Sequence, residues 1–304
     1  MFLFSYIAWD PNRGMFNFNL PILDRPILWY GFFFALGFFV GYLLLTYLLR
    51  RNFKEISKQN TAKFAEQITF YVVMGTIIGA RLGDVLFYQN WKEILQHPIS
   101  IIAVWQGGLA SHGGAVGILI ALWFFARKRN MGFWTAVDLI VIPTAIAAVC
   151  IRIGNFFNQE ILGTPTTLPW GIIFLHPADG GPLVPRHPAQ LYEAIGYLCV
   201  FLILLFYQYS QRPFQKPGKL TGCFLILVFS LRFLIEFIKM EQSVYISENS
   251  YLTMGQYLSI PFILLGLYLF ILKKNPLAFY RMGSREELCQ QSLRVDGRDD
   301  GGRD

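Results

Sequence analysis

Long apolar runs alternate with short polar stretches along most of the 304-residue chain. A helix needs about 20 predominantly apolar residues to cross the roughly 30 Å hydrocarbon core of a bilayer. Seven runs approach or exceed that length, with ends uncertain by several residues. They cover residues 27–49, 67–88, 108–126, 135–157, 190–209, 220–238 and 254–272. The pattern predicts an all-α, polytopic membrane protein with seven transmembrane helices.

Three segments lie outside the predicted membrane helices or between them. Residues 1–26 contain Pro11, Pro21 and Pro26, which disfavour a long helix and predict an extended or interfacial arm. Residues 161–189, the longest internal connection, are rich in proline and glycine and predict an ordered cap. Residues 275–304 are polar and glycine-rich and predict a disordered tail. The transmembrane domain, including the cap, is therefore expected to cover residues 27–274.

The basic residues indicate the orientation of the chain in the membrane. They cluster after the first, third, fifth and seventh runs, as in Arg50-Arg51 and Arg127-Lys128-Arg129, and are sparse after the other runs. Since cytoplasmic loops are enriched in Lys and Arg, we expect a periplasmic N-terminus and cap and a cytoplasmic C-terminus. The same distribution accounts for the formal net charge of +7 without a nucleic-acid partner.

Composition supports a membrane protein and offers no metal or redox chemistry. Hydrophobic residues make up 54% of the chain and charged residues 15%, against roughly 45–50% and about 25% in soluble domains. The four cysteines, Cys150, Cys199, Cys223 and Cys289, are scattered, with no Cys-x-x-Cys pair among them. We expect neither disulfides nor a metal site nor a cofactor.

The stretch Arg152-Ile-Gly-Asn-Phe-Phe-Asn-Gln-Glu160 follows directly on an apolar run and carries an unusual density of polar groups. An arginine at mid-bilayer costs about 2.5–3.5 kcal/mol on insertion scales. If the helix continues through Asn158, its period places Arg152, Asn155, Asn158 and Gln159 on roughly one third of the circumference. This predicts a polar stripe that faces the interior of the helix bundle.

Two further arginines lie in apolar runs, each with a carboxylate at helical spacing. Arg81 and Asp84 are i,i+3 neighbours, and Arg232 and Glu236 are i,i+4 neighbours, so each carboxylate can hold its arginine. A structural ion pair or a snorkelling side chain explains such arginines as well as a binding site does. His112, among glycines at the outer end of the third run, is either a structural hydrogen-bonding group or a proton relay.

An arginine-lined cavity near the outer leaflet is suited to a phosphate group, because the planar guanidinium fork matches phosphate oxygens. The ligand class that follows is a phospholipid headgroup. The residues alone do not define a reaction.

The chain resembles the prolipoprotein diacylglyceryl transferases. The residues that carry the resemblance are Trp29-Tyr-Gly31, Gly79-Ala-Arg-Leu-Gly83, Gly107-Gly108 with Ser111-His-Gly-Gly114, Arg152-Ile-Gly-Asn-Phe-Phe-Asn-Gln-Glu160, Arg186-His-Pro-Ala-Gln-Leu-Tyr-Glu193, Arg232 with Glu236, and Met254-Gly-Gln256. Two positions depart from the family pattern. Ile151 stands where the signature usually has glycine, and Lys239 stands near a position that is commonly arginine.

The resemblance implies a bacterial inner-membrane enzyme that transfers the diacylglyceryl group of phosphatidylglycerol to the lipobox cysteine of prolipoprotein signal peptides. The products are a thioether and glycerol phosphate, and the active site faces the periplasm. It implies that Arg152 and Arg232 bind phosphate and stabilise the leaving group, and that His112 assists deprotonation of the thiol.

Other residues carried over from the resemblance act on the substrate. Asn155 and Glu160 orient the arginines, Tyr30 and Gly163 belong to the headgroup site, and Arg81 and Glu236 contribute to substrate binding. We expect a monomer in the lipid bilayer.

Two other functions remain open at this point. A phospholipid or small-anion transporter also carries interior arginines, although the chain shows no internal repeat of the kind found in many transporters. A lipid-binding scaffold is disfavoured by the convergence of so many polar residues at one depth.

Overall fold

The computed structural model describes a mostly helical chain. The residues described are 6–12, 14–20, 25–52, 57–89, 91–96, 98–102, 108, 110–211, 216–240 and 251–272. The predicted tail, 275–304, lies outside them. The described residues fall into two compact units, the first within residues 1–41 and 141–273 and the second within residues 42–140.

The helices follow the apolar runs. Their bounds are α1 Trp29–Asn52, α2 Lys58–Phe87, α3 Trp91–Gln96, α4 Ser111–Lys128, α5 Phe133–Asn158, α6 Ala189–Gln211, α7 Lys219–Ile235 and α8 Met254–Leu267. A 3₁₀ helix covers Pro98–Ile102, a second extends α7 over Glu236–Ile238, and a π-helical turn extends α8 over Tyr268–Leu272.

Six helices within the described residues are long and apolar enough to cross a membrane, namely α1, α2, α5, α6, α7 with its extension, and α8 with its extension. The prediction of a helical, multi-pass membrane protein is confirmed. The third predicted run corresponds to α4, which is not among the six. Polar residues occupy both of its ends, Ser111-His112 and Arg127-Lys128, and shorten its apolar part. A seventh membrane span stays a prediction.

In the second unit, α2 and α4 pack through glycines on both helices. A Cβ atom at Gly79 would lie 2.7 Å from the Cα of Gly117, and one at Gly83 would lie 2.8 Å from the Cα of Gly113. Only hydrogen can occupy those positions at this separation. Glycines four residues apart on each helix thus allow the two backbones to touch, a common packing mode where lipid removes the hydrophobic drive for association.

The fold also contains five short strands that the all-α prediction lacked. β1 (Ile7–Trp9) pairs in parallel with β4 (Ile172–Phe174), which pairs antiparallel with β5 (Pro185–Arg186). β2 (Gly14–Leu20) and β3 (Arg25–Leu28) form a separate antiparallel pair. Within residues 1–26 the described part contains β1, β2 and the start of β3, and β1 joins the 161–189 segment.

The 161–189 segment, called the cap below, has its own buried ion pair. The side chain of Arg186 is 2% exposed, and its Nη1 donates to the Oδ2 of Asp179 at 2.6 Å. Burial alone raises the pKa of Asp179, but hydrogen bonds from the Gly181 N–H and from Arg186 outweigh it and hold this pKa below the ordinary value. The cap thus contains a specific buried polar contact.

The glycine contact between α2 and α4 can be tested with two neighbouring residues. Gly113→Ala should destabilise the protein by about 1–3 kcal/mol, because the new methyl group meets the backbone of α2. Gly114→Ala is the matched control, since its Cβ would lie 3.5 Å from the nearest atom, the Cβ of Ala80. Thermal unfolding in detergent measures both. Equal melting temperatures for the two variants would refute the tight packing.

Candidate active site

The last turns of α5 carry a chain of hydrogen bonds that begins at Arg152. Its Nη1 donates to the Oδ1 of Asn155 at 3.0 Å, and the Nδ2 of Asn155 donates to the Oε2 of Glu160 at 3.1 Å. The other carboxylate oxygen of Glu160 accepts from the Nδ2 of Asn158 at 2.5 Å. The polar stripe predicted from helical spacing therefore exists as a connected network from Arg152 to Glu160.

Gln159 departs from the predicted stripe. Its side chain is fully buried, and its Oε1 accepts from the backbone N–H of His176 in the cap at 2.7 Å. Gln159 and Ile161 have φ angles of 55° and 57°, a left-handed conformation that is uncommon for residues other than glycine. These two residues flank Glu160 and reverse the chain, which returns the Glu160 carboxylate to α5.

A buried carboxylate on α6, Glu193, holds Arg152 from the other side. The Nε of Arg152 lies 2.8 Å from the Oε2 of Glu193, and the Nζ of Lys239 lies 3.4 Å from its Oε1. The side chain of Glu193 is 2% exposed and that of Lys239 is 6% exposed. Glu193 was not predicted as a site residue. The sequence did carry a signal for it: a carboxylate one turn inside an apolar helix requires a cation as its partner.

Backbone pairing with the cap positions Lys239 next to Glu193. Gly163 and Lys239 form an antiparallel bridge, and the N–H of Thr164 donates to the carbonyl of Ile238 at 2.9 Å. Burial lowers the pKa of Lys239, while the Glu193 carboxylate raises it and limits the net decrease. The lysine that departs from the family pattern thus serves as the second cation of Glu193.

Arg232, on α7, does not form the predicted pair with Glu236. Within the described part of the chain, no carboxylate oxygen lies within 4 Å of its guanidinium group. Glu236 lies instead beside the first turn of α8, where a Cβ on Gly255 would contact its carboxylate. An anion is favoured at a helix N-terminus. Arg232 is therefore a half-buried cation that has no carboxylate partner among the described residues.

Tyr197, on α6, is the residue that relates the two arginines. The Cζ of Arg152 lies 5.9 Å from the centre of the Tyr197 ring, and Arg232 is close enough to interact electrostatically with the same side chain. Arg152 on α5 and Arg232 on α7 therefore both lie within electrostatic range of one residue of α6. Tyr197 was not predicted, because a tyrosine in an apolar helix carries no distinctive signal.

Tyr30 and Gly163 lie in the same unit as this network. Tyr30 packs against Gly154, where a Cβ would lie 3.2 Å from the tyrosine Cδ2, and it interacts electrostatically with Glu160 and Arg152. Gly163 passes close to His187, since a Cβ at Gly163 would lie 2.5 Å from the Cβ of His187. Close backbone approach is the reason for glycine at this position.

Arg81 and His112 belong to the second unit. Arg81 forms the predicted ion pair with Asp84 at 3.3 Å, and its guanidinium also donates to the carbonyls of Ser100, Ile101 and Gly108. Its donors are thus largely used by the protein itself. His112 is exposed in the first turn of α4.

The arrangement in the first unit is suited to an anionic ligand. Glu193 takes the Nε of Arg152 and Asn155 takes its Nη1, which fixes the plane of the guanidinium. The Arg152 guanidinium also lies against the side chain of Tyr197. The guanidinium fork is a shape suited to phosphate oxygens. The described residues contain no group of three or more His, Cys, Asp or Glu side chains placed to hold a metal ion.

Comparison with known proteins identifies the family of this chain. The chain matches the family "Prolipoprotein diacylglyceryl transferase" over residues 18–272. It is 42% identical to the phosphatidylglycerol–prolipoprotein diacylglyceryl transferase of Chloroherpeton thalassium, over 87% of this chain and 93% of the relative. It is 40% identical to the enzyme of the same name from Porphyromonas gingivalis, over 91% and 98%. The chain belongs to the prolipoprotein diacylglyceryl transferase family.

Proposed function

We propose that this protein transfers the diacylglyceryl group of phosphatidylglycerol to the lipobox cysteine thiol of prolipoproteins. The observation that carries the proposal is the pair formed by Arg152, fixed by Glu193 and Asn155, and Arg232, which has no carboxylate partner among the described residues. Family membership supports the same reaction, and the names of the relatives do not favour a transporter.

The reaction requires a thiolate and a stabilised leaving group. The sulfur attacks the glyceryl carbon that carries the phosphate ester, so an S–C bond forms and the C–O bond breaks. Glycerol phosphate departs with the electron pair, and the thiol loses its proton. A thiol with an ordinary pKa near 8.5 must be deprotonated before it attacks. The enzyme therefore needs cations at the phosphate and a means of removing a proton.

The residues divide these tasks. Arg152 and Arg232 bind the phosphodiester and stabilise the negative charge that grows as the C–O bond breaks. Asn155 and Glu160 keep Arg152 oriented through the hydrogen bonds described above. Tyr30, Gly163 and Glu236 complete the headgroup site. His112 assists thiol deprotonation, and Arg81 contributes to substrate binding.

The protein acts in the bacterial inner membrane on two lipid-embedded substrates, phosphatidylglycerol and the signal peptide. Seven spans, a periplasmic N-terminus and a cytoplasmic C-terminus place the arginine site at the periplasmic face. The transmembrane domain covers residues 27–274 with the cap at 161–189, and a monomer suffices for the reaction.

The function is tested by incubating the purified protein with phosphatidylglycerol and a lipobox peptide. Mass spectrometry should detect a peptide heavier by one diacylglyceryl group, together with released glycerol phosphate. A peptide in which serine replaces the lipobox cysteine is the control. A folded protein that moves phosphatidylglycerol across liposomes without forming the adduct would support the transporter instead.

Removal of either arginine should abolish most of the transfer. Loss of one stabilising donor at a developing negative charge typically lowers kcat by about 100- to 1,000-fold, so the activity of Arg152→Ala and of Arg232→Ala, corrected for the folded fraction, should fall at least that far. Arg127→Ala, at an exposed position at the end of α4, is the control and should retain activity. Normal turnover by either site variant would remove that arginine from the mechanism.

The role of His112 predicts a change in the pH dependence of the rate. A neutral imidazole can accept the thiol proton, whereas a glutamine amide cannot. His112→Gln should therefore be slower near neutral pH, and its pH–rate profile should differ from that of the native protein. An unchanged pH–rate profile in the variant would leave His112 without a role in proton transfer.

The number of spans can be decided by reporters of membrane topology. In the seven-span arrangement α4 crosses the membrane and its two ends lie on opposite sides, whereas in a six-span arrangement without α4 they lie on the same side. An alkaline phosphatase inserted after Gln89 should be active, and one inserted after Asn130 should be inactive, because the enzyme folds only in the periplasm. The same result at both positions would contradict the seven-span arrangement.

A further inference from the structure

The N-terminal strand reaches the signature stretch of α5 although it lies outside the part of the chain that matches the family, residues 18–272. β1 pairs with β4 in the register Ile7 with Ile172, Ala8 with Ile173 and Trp9 with Phe174. The N–H of Leu175 donates to the carbonyl of Trp9 at 3.1 Å, which extends the pairing. The strand is therefore paired with the cap in a defined register.

Trp9 connects this strand to the end of α5. Its indole Nε1 donates to the backbone carbonyl of Phe156 at 3.1 Å, and its ring centre lies 4.5 Å from the Phe156 ring and 5.5 Å from the Phe157 ring. The carbonyls of the last helical turn lack the partners found within a helix, and outside donors commonly satisfy them. The Phe156 carbonyl also accepts from the N–H of Gln159 at 3.2 Å.

The turn held by this contact is the one that carries Glu160. Gln159 adopts a left-handed backbone, and its side chain and carbonyl accept from the N–H groups of His176 and Ala178 in the cap. A left-handed conformation at a residue other than glycine persists when its surroundings enforce it. Trp9 contacts this turn at the Phe156 carbonyl, and the cap contacts it at the side chain and carbonyl of Gln159.

We infer that Trp9 is a positioning residue for the arginine site. It fixes the carbonyl of Phe156, the neighbour of Asn155, and thereby the turn that returns the Glu160 carboxylate to Asn155 and Asn158. Glu160 in turn orients Asn155 and, through it, the guanidinium of Arg152. The inference rests on the proposed function, since it assigns Trp9 to the binding of the phosphatidylglycerol headgroup.

Three variants separate the hydrogen bond from the ring contacts. Trp9→Phe keeps an aromatic ring and removes the indole donor, whereas Trp9→Ala removes both. Trp123→Phe, on the exposed side of α4, is the matched control for the loss of an indole N–H elsewhere. Each full-length variant is assayed with phosphatidylglycerol and a lipobox peptide, and its concentration is corrected for the folded fraction.

Trp9→Phe should raise the KM for phosphatidylglycerol about fivefold, the loss expected for one typical hydrogen bond, and should leave the KM for the peptide unchanged. A purely structural role would lower the amount of active enzyme and leave both KM values unchanged. The rise in KM caused by Trp9→Phe should also be smaller in an Asn158→Ala background, where Glu160 has already lost one hydrogen bond. The reason is that the effects of substitutions at coupled residues are not additive. Unchanged KM values, or full additivity with Asn158→Ala, would overturn the inference.

Amide hydrogen exchange provides a readout that does not depend on turnover. Exchange in residues 159–163 should be faster in Trp9→Phe than in the native protein, and Trp123→Phe should leave it unchanged. If the native protein forms no diacylglyceryl adduct, the proposed function fails, whereas unchanged exchange and native KM values in Trp9→Phe defeat only the role of Trp9. Trp9→Ala should show the larger change in exchange if it folds.

Discussion

The ion pair between Glu193 and Arg152 is the interaction on which the candidate site depends. A carboxylate with 2% exposure in a membrane helix has lost nearly all of its hydration, and that cost is offset only by closely placed cations. Arg152 and Lys239 supply them from α5 and from the end of α7. Removal of either cation leaves a buried charge underpaired, so three separate parts of the first unit are tied together by one side chain.

The arginines of this protein fall into two groups according to what occupies their donors. Arg81 and Arg186 are used internally: Arg81 binds Asp84 and three backbone carbonyls, and Arg186 binds Asp179 within the cap. Arg152 is held by Glu193 and Asn155 and lies against Tyr197, and Arg232 has no carboxylate partner within the described residues. The groups are alike in sequence, since all four arginines lie in or beside apolar helices.

Sequence reasoning succeeded where the signal is local. The helices follow the apolar runs, the bond from Arg152 to Asn155 follows helical spacing, and Arg81 pairs with Asp84 three residues away. It failed where partners come from distant parts of the chain. Glu193 pairs with Lys239 46 residues away, and Trp9 bonds to Phe156 147 residues away. The i,i+4 spacing also paired Glu236 with Arg232, whereas the Glu236 carboxylate lies beside the first turn of α8. No local pattern in the sequence reveals that partner.

The contrast between Arg152 and Arg232 fits the demands of the proposed reaction. A phosphodiester carries one negative charge, and the departing glycerol phosphate acquires more as the C–O bond breaks. A cation accelerates the reaction only to the extent that it interacts more strongly with the transition state than with the bound lipid. Arg152, whose charge is already engaged by Glu193, is suited to holding and aligning the phosphate. Arg232, with no competing carboxylate among the described residues, can respond fully to the charge that develops. In the proposed mechanism, a fixed arginine and an arginine without a carboxylate partner among the described residues would therefore supply orientation and transition-state stabilisation as separate contributions.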